Sequence, residues 1–264
     1  MNKTKTILDA LAAHAKERTD AAKLKISAQD MKKRALELQK GDRAFENALK
    51  KDGMSFILEC KKASPSKGLI APDFPYLDIA KTYEAIGADC ISVLTEPKWF
   101  LGSGAYLKEI AQAVSIPCLR KDFTVDEYMI YEAAVLGAKA VLLIVSILSE
   151  GGIKEYLGIC DELGISAVVE THDEDEVFTA LDAGARIIGV NNRDLKDFSV
   201  DQSNAARLRK IIPDDRIFIS ESGIKTAADV KAAHDAGADA LLIGETVMRA
   251  EDKKAAFDEL RSLL

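Results

Sequence analysis

A recurring module of a helix end, a glycine and a short apolar run limits the possible folds of this chain more than any other feature. Glycine just past a helix supplies the left-handed conformation that ends it, and a run rich in β-branched residues suits a strand buried on both faces. Repetition of this pattern, as in EAIGADCISVL and HDAGADALLIG, predicts parallel βα units. The glycines of the module are Gly87, Gly137, Gly164, Gly184 and Gly237.

Further apolar runs complete a set of eight predicted strands, which begin near residues 55, 90, 116, 140, 165, 187, 216 and 240. The added runs are Ser55–Cys60, Ile116–Arg120 and Arg216–Ser220. Amphipathic helices are predicted over Ala105–Val114, Val125–Leu136 and Ala227–Ala236. Eight evenly spaced units in 264 residues predict one (β/α)8 TIM barrel. The alternative is an open doubly wound sheet, but the glycine-rich fingerprint of that fold does not follow Cys60.

Residues 1–50 precede the first strand and form a predicted helical N-terminal extension, with helices over Lys5–Lys16 and Gln29–Lys40. We expect residues 1–264 to make a single barrel domain that includes this extension. It could cap the bottom of the barrel or lie across the mouth. We favour the mouth, because segments that close over a substrate are often additions of this kind.

The formal net charge of -7 disfavours nucleic acid or an anionic membrane as a partner, so an anionic substrate needs a local basic pocket. The opening stretch MNKTKTILDALAAHAKERTD has no continuous apolar segment typical of a secretory signal. No uncharged apolar stretch reaches the ~18 residues of a membrane span. We therefore expect a cytoplasmic protein, either a monomer or a weak homodimer.

Cysteine and histidine positions argue against a metal site. The four cysteines lie far apart without a C-x-x-C pair, which predicts reduced, buried thiols. His14 and His234 fall in helical stretches and are predicted to lie at the surface, while His172 is predicted to be an exposed or hydrogen-bonding loop residue. We expect no bound metal. The cysteines are Cys60, Cys90, Cys118 and Cys160.

Active sites of barrel enzymes lie at the carboxyl ends of the strands, so polar residues at those ends are candidates. Glu59 and Lys61 end the first strand and share one side of it. A buried carboxylate there is either part of a structural ion pair or functional, and we favour function because perturbed groups cluster at active sites.

Lys121 ends the third strand on the same side as Leu119, and Glu170 ends the fifth. We expect Lys61 and partial burial to lower the pKa of Lys121, which would make it a general acid near neutral pH. The alternative for Lys121 is a solvated loop lysine. Glu170 is a general-base candidate, with a structural ion pair as its alternative.

The remaining strand ends suggest groups that bind oxygen atoms and phosphate. Asn191 could bind a hydroxyl or an oxyanion and Arg193 a carboxylate or phosphate, although both residue types also build turns. Gly223 and Gly244 follow the seventh and eighth strands, where barrels commonly hold phosphate. Aromatic side chains after the second and third strands could wall a pocket or serve in packing. They are Trp99, Phe100 and Phe123.

With these motifs in order along nearly the whole chain, the sequence resembles the indole-3-glycerol-phosphate synthases. The resemblance rests on ILECKKASPSKG, SVLTEPKWFLGS, LRKDF, VVETHDEDE, GVNNRDL, SESGI and LIGETVMR. It implies closure of the indole ring of 1-(2-carboxyphenylamino)-1-deoxyribulose 5-phosphate, a phosphorylated anionic small molecule, with loss of carbon dioxide and water. It also implies a carbon-carbon lyase of tryptophan biosynthesis that needs no cofactor or metal.

The resemblance further implies a role for each site residue. Lys121 is the general acid, Glu170 the general base, and Lys61 the group that binds the departing carboxylate, although either lysine could donate the first proton. The residues implied to orient the sugar and the lysines are Glu59, Asn191 and Glu221. The residues implied to surround the phosphate are Ser64, Ser222, Gly223, Gly244 and Glu245. The residues implied to contact the aromatic ring are Phe100 and Phe123.

Glu245 departs from relatives that carry a small hydroxyl residue at this position. A carboxylate would repel phosphate, so we expect only the backbone N–H of Glu245 to contact substrate. We expect a monofunctional protein without the isomerase domain to which some relatives are fused. The alternatives are another phosphate-binding barrel such as phosphoribosylanthranilate isomerase, a Schiff-base aldolase that uses Lys121, and a barrel that serves only as a scaffold.

Overall fold

The computed structural model describes residues 6–194 and 198–264, and these contain a closed barrel of eight parallel strands. In chain order the strands are β1 Ser55–Cys60, β2 Ala63–Ser64, β3 Gly68–Leu69, β4 Cys90–Leu94, β5 Cys118–Lys121, β6 Ala140–Ile144, β7 Ser166–Thr171, β8 Ile187–Asn191, β9 Ile217–Glu221 and β10 Ala240–Ile243. Strands β2 and β3 form a separate antiparallel hairpin. The other eight pair in chain order, and β1 closes the barrel against β10. The predicted TIM barrel is confirmed.

Helices alternate with the barrel strands and cover them from outside. They are α1 Ile7–Lys23, α2 Ala28–Leu36, α3 Ala44–Leu49, α4 Tyr76–Ala85, α5 Gly104–Ala113, α6 Glu127–Val135, α7 Glu150–Leu163, α8 Glu174–Asp182, α9 Ser203–Arg209, α10 Ala227–Asp235, α11 Glu245–Arg249 and α12 Lys253–Leu260. Within the described part of the chain, no helix combines the length and apolar character needed to cross a bilayer.

The predicted bounds differ from the observed ones for local reasons. The third barrel strand starts at Cys118 rather than Ile116, because Pro117 lacks the N–H that a ladder requires. Helix α1 extends to Lys23, well beyond the predicted end, and the predicted start at Lys5 lies outside the described residues. The five module glycines do adopt the left-handed conformation, with φ between 70° and 98°.

The N-terminal extension covers both ends of the barrel. Helix α1 lies at the mouth, where Leu11 lines the central cavity and Arg18 pairs with Asp122 at 2.7 Å. Helix α2 packs along α6. Helix α3 lies at the bottom, where the backbone N–H of Glu46 donates to the hydroxyl of Ser166 at the start of β7. The predicted position across the mouth is therefore confirmed for α1, whereas α3 lies at the bottom of the barrel, which was the alternative.

Alternate strand residues face two different cores. In β1, Ile57 packs inside the barrel, while Phe56 and Leu58 pack against the surrounding helices. In β5, Leu119 points inward and Cys118 outward. Side chains alternate along a strand, so the inward direction of these apolar residues also sets the direction of the polar residues that follow them.

Candidate active site

The polar residues at the strand ends continue the inward-facing rows of the barrel. Glu59 follows Ile57 by two positions, and Lys121 follows Leu119 in the same way. Glu170, on β7, and Glu221, on β9, likewise succeed inward-facing Val168 and Ile219. Their carboxylates are only 2% exposed. The shared parity brings the charges of separate strands together above the apolar barrel core.

These residues line a cavity of about 650 Å³ at the mouth. Of the candidate site residues predicted from the sequence, all but Trp99 border it. These residues are Glu59, Lys61, Ser64, Phe100, Lys121, Phe123, Glu170, Asn191, Arg193, Glu221, Ser222, Gly223, Gly244 and Glu245.

Lys121 lies at the centre of the charged cluster. Its Nζ is 2.8 Å from Oε2 of Glu170 and 3.2 Å from Oε2 of Glu221. Burial disfavours the ammonium form, but the carboxylates of Glu170 and Glu221 outweigh burial and raise the pKa of Lys121 above its ordinary value. The expectation of a lowered pKa was wrong. Lys61 is held by a carboxylate of its own, and the nearest charges to Lys121 are negative.

The two carboxylates beside Lys121 differ in their titration. Burial favours the neutral form of Glu170, but the charges of Lys121 and His172 overcome this and lower its pKa. Burial raises the pKa of Glu221 to about 7, because Lys121 offsets the burial only in part and Glu170 adds repulsion. A single lysine thus neutralises one carboxylate fully, and the second accepts a proton near neutral pH.

Glu59 and Lys61 form a second ion pair, with 2.6 Å between Oε1 and Nζ. The pair lies against Gly244 of the β10–α11 turn. A Cβ at Gly244 would lie 2.6 Å from Oε1 of Glu59 and 3.0 Å from Nζ of Lys61. Glycine makes room there for the ion pair, a reason that the sequence does not reveal.

Gly189 has a similar role for Glu221. A Cβ at Gly189 would lie 2.3 Å from Oε1 of Glu221. That oxygen is buried and accepts no hydrogen bond from any described residue.

The loops after β9 and β10 form one wall of the cavity. Ser222 and Gly223 both have positive φ, at 67° and 89°, so consecutive residues of the first loop are left-handed. Thr246 donates its hydroxyl to the carbonyl of Ile224 and ties the second loop to the first. Three cations that the sequence interpretation missed also border the cavity, and their only signal was a charged residue in or just after a loop that follows a strand. They are Lys67, Lys225 and Arg249.

The carboxylate of Glu245 is directed towards these cations. It lies 3.1 Å from Nε of Arg249 and 3.9 Å from Nζ of Lys67. Its negative charge is thereby partly balanced at the edge of the cavity.

Asn191 and Arg193 support the loop after β8. Oδ1 of Asn191 accepts from the backbone N–H of Arg193, and the guanidinium of Arg193 donates to the carbonyl of Phe198. Asn191 also hydrogen-bonds to Glu170, which helps to lower the pKa of that carboxyl. Leu195, the last residue of the GVNNRDL motif, lies outside the described residues.

Phe100 and Phe123 lie side by side in the cavity wall, with ring centroids 6.1 Å apart. Trp99 is turned towards the N-terminal extension, where it makes an edge contact with His14. Both carboxylate oxygens of Glu96, a fully buried residue that the sequence interpretation missed, accept hydrogen bonds from this loop. Oε2 of Glu96 accepts from the backbone N–H of Phe100 and Oε1 lies 3.0 Å from Nδ1 of His14. His14 is therefore partly buried, which corrects its predicted surface position.

The other predictions concern groups outside the cavity. His234 is exposed, as expected, and all four cysteines are free and buried. His172 makes hydrogen bonds but is not exposed, since only 18% of its side chain is accessible. The described residues contain no group of three or more His, Cys, Asp or Glu side chains placed to hold a metal ion.

Comparison with known proteins identifies the family of this chain. The family model for indole-3-glycerol phosphate synthase matches residues 8–260. The chain belongs to this family. An indole-3-glycerol phosphate synthase of Ruminiclostridium cellulolyticum is 55% identical over 97% of this chain and 98% of its own. The synthase of Endomicrobium trichonymphae is 50% identical over 97% of this chain and 99% of its own.

Solved structures support the fold alone. A 3-hexulose-6-phosphate synthase matches with a TM-score of 0.62 at 19% identity, covering 79% of this chain and 99% of its own. At this identity the likeness extends to the barrel and carries no information about the reaction.

Proposed function

We propose that this chain closes the indole ring of 1-(2-carboxyphenylamino)-1-deoxyribulose 5-phosphate to give indole-3-glycerol phosphate. The reaction releases carbon dioxide and water, so the enzyme is a carbon-carbon lyase of tryptophan biosynthesis. The observation that carries this proposal is the position of Lys121 between two buried carboxylates in a cavity of about 650 Å³. Family membership supports the same reaction.

Lys121 is the proposed general acid. The ketose oxygen becomes an alkoxide when the ring carbon attacks the ketose carbon, and it must gain protons to leave as water. The carboxylates around Lys121 keep its ammonium group charged, so a proton is available at neutral pH. An alkoxide is basic enough to take that proton even from a lysine of raised pKa.

Glu170 is the proposed general base. Dehydration needs removal of a proton from the methylene carbon beside the departing hydroxyl. Glu170 is ionised, because its pKa is lowered, and its Oε2 lies 2.8 Å from Lys121. A proton accepted by Glu170 can therefore pass directly to Lys121 and restore the acid.

The remaining site residues are proposed to bind substrate. Lys61, paired with Glu59, holds the departing carboxylate, and Phe100 and Phe123 contact the aromatic ring. Glu59, Asn191 and Glu221 orient the sugar hydroxyls, and Arg193 binds an anionic group from the same wall. The proposed phosphate site consists of Ser64, Ser222, Gly223, Gly244 and the backbone N–H of Glu245.

A Schiff-base aldolase is disfavoured by the charge state of Lys121. Imine formation needs a neutral amine, whereas the surrounding carboxylates raise the pKa of this lysine. Borohydride added with substrate traps a covalent adduct in the aldolase mechanism, and we expect none here.

The test is direct turnover, followed by the fluorescence of the indole product. Lys121→Ala and Glu170→Gln should each lower kcat by roughly 10²–10⁴, as expected for acid and base groups. Lys154→Ala, on the exposed surface of α7, is the matched lysine control and should keep full turnover. No product from folded wild-type protein would refute the function, and a Lys121→Ala variant with most of its turnover would transfer the acid role to Lys61.

We further propose that the chain acts in the cytoplasm as a single domain, monomeric or weakly dimeric, without nucleic acid or membrane partners. The support is the four free, buried thiols and the net charge of -7. Sedimentation equilibrium across a range of concentrations tests the oligomeric state, and a tight dimer at the lowest concentration would contradict it.

A further inference from the structure

His172 lies directly behind the proposed general base and has no role in the mechanism above. It follows β7, two residues after Glu170, and its Nε2 lies 3.5 Å from Oε1 of Glu170. Nε2 is buried and makes no hydrogen bond to any described residue. The imidazole edge thus faces the carboxylate oxygen that Lys121 does not contact.

The other edge of the ring is held firmly. Nδ1 of His172 lies 3.0 Å from Oε2 of Glu176 on α8, and the same oxygen accepts the backbone N–H of His172 at 2.7 Å. The hydroxyl of Ser146 donates to the second oxygen of Glu176, and Asn204 of α9 donates to the carbonyl of His172. Three neighbouring elements therefore fix the position of one histidine.

We propose that His172, held in place by Glu176, is a positioning residue for Glu170. This inference rests on the proposed function of Glu170. The imidazole holds Oε1 from behind, which leaves Oε2 aimed at Lys121 and the substrate. Glu170 is then presented in one orientation for proton removal, and its negative charge is retained while substrate binds.

The charges facing the two groups agree with this role. Negative charge reaches His172 from Glu170, Glu176 and Glu221. Burial disfavours the imidazolium form, but the bond to Glu176 and the charge of Glu170 together raise the pKa of His172. Glu170 in turn faces the cations of Lys121 and His172, which lower its pKa.

Two substitutions of the same histidine separate positioning from mere packing. His172→Asn places an amide near the Nδ1 position and leaves nothing against Glu170. His172→Gln can reach the Nε2 position and supply a donor without a charge. We expect His172→Asn to lower kcat by roughly 10- to 100-fold with little change in KM, because the carboxylate of Glu170 loses the imidazole edge that lies 3.5 Å from its Oε1.

The pH profile of kcat supplies the readout that packing alone would not change. Loss of the imidazolium removes a cation from Glu170, so its pKa rises and the acid limb moves to higher pH in both variants. His172→Gln should recover part of the lost kcat while keeping the displaced limb. His234→Asn, an exposed histidine on α10, is the control and should match wild type.

A second variant covers the case in which His172→Asn does not fold. Glu176→Gln keeps the imidazole but removes its anionic partner, and it should lower kcat and displace the acid limb in the same direction. Unchanged kcat and acid limb in His172→Asn, or in Glu176→Gln if that is the folded variant, would overturn the inference. Equal losses of kcat in His172→Asn and His172→Gln, without displacement of the acid limb of the pH profile, would also overturn it. Absence of turnover in wild type instead refutes the proposed function.

Discussion

Glu221→Gln should stabilise the fold, although it removes a proposed substrate-binding group. Three carboxylates share this site with two lysines, and the least compensated of the three is Glu221, whose pKa is raised from 4.5 to about 7. The folded chain therefore binds this proton more tightly than the unfolded chain does. The contribution of Glu221 to stability is full below pH 4.5 and is lost as the pH rises through about 7.

The size of this loss of stability follows from the shift in the pKa of Glu221. A rise from 4.5 to about 7, at 1.36 kcal/mol per unit, corresponds to about 3 kcal/mol of destabilisation above pH 7. An uncharged glutamine avoids it, so Glu221→Gln should raise the free energy of unfolding by up to about 3 kcal/mol at about pH 8.5. At about pH 5 most of the gain should disappear, because folded Glu221 is then protonated.

Urea denaturation at both pH values measures the effect. Glu46→Gln is a control of opposite sign, because Lys50 and Arg186 overcome the burial of Glu46 and lower its pKa. That variant, at the bottom of the barrel, should lose stability by nearly the same amount at both pH values, because both lie above the ordinary carboxyl pKa of 4.5. An equal stability change for Glu221→Gln at both pH values would refute the assignment of the raised pKa to this carboxyl.

Three further substitutions test how the site is built. Gly244→Ala places a Cβ 2.6 Å from Oε1 of Glu59 and should lower kcat/KM by roughly tenfold or more in steady-state assays; an unchanged value would show that the turn yields freely. Arg18→Met leaves the buried carboxylate of Asp122 without its 2.7 Å partner and should lower the free energy of unfolding by about 1–3 kcal/mol, less than for a fully buried pair because Arg18 is 22% exposed. A wild-type urea midpoint would contradict it. Phe123→Ala removes an apolar wall and should raise KM roughly tenfold to a hundredfold, whereas a loss confined to kcat would exclude it from ring binding.

The sequence was sufficient to predict the barrel because its signals are local. Glycine after a helix, followed by an apolar run, reports the conformation of a few consecutive residues, and the positive φ at Gly87 and Gly237 confirms it. Strand parity also correctly placed Lys121 on the same side of its strand as Leu119. Such inferences need only the spacing between neighbours in the chain.

The charge states of the site could not be obtained in this way. The pKa of Lys121 depends on carboxylates that lie 49 and 100 positions further along the chain, at Glu170 and Glu221. Without the barrel, Lys61 appeared to be the relevant neighbour, and the predicted direction was wrong. The positions of α1 and α3 at opposite ends of the barrel could not be predicted for the same reason. They depend on contacts with residues that are distant along the chain.

The sequence by itself thus determined the eight βα units and the strand ends at which the polar candidate residues lie. Only the tertiary structure decided that Lys121 is shared by two carboxylates, that Gly244 makes room for Glu59, and that His172 lies behind Glu170. The physical reason is that backbone conformation depends on nearby residues, whereas electrostatic energy and steric fit depend on distances in space. Closure of the barrel sets those distances by bringing strand ends from the whole chain to one mouth.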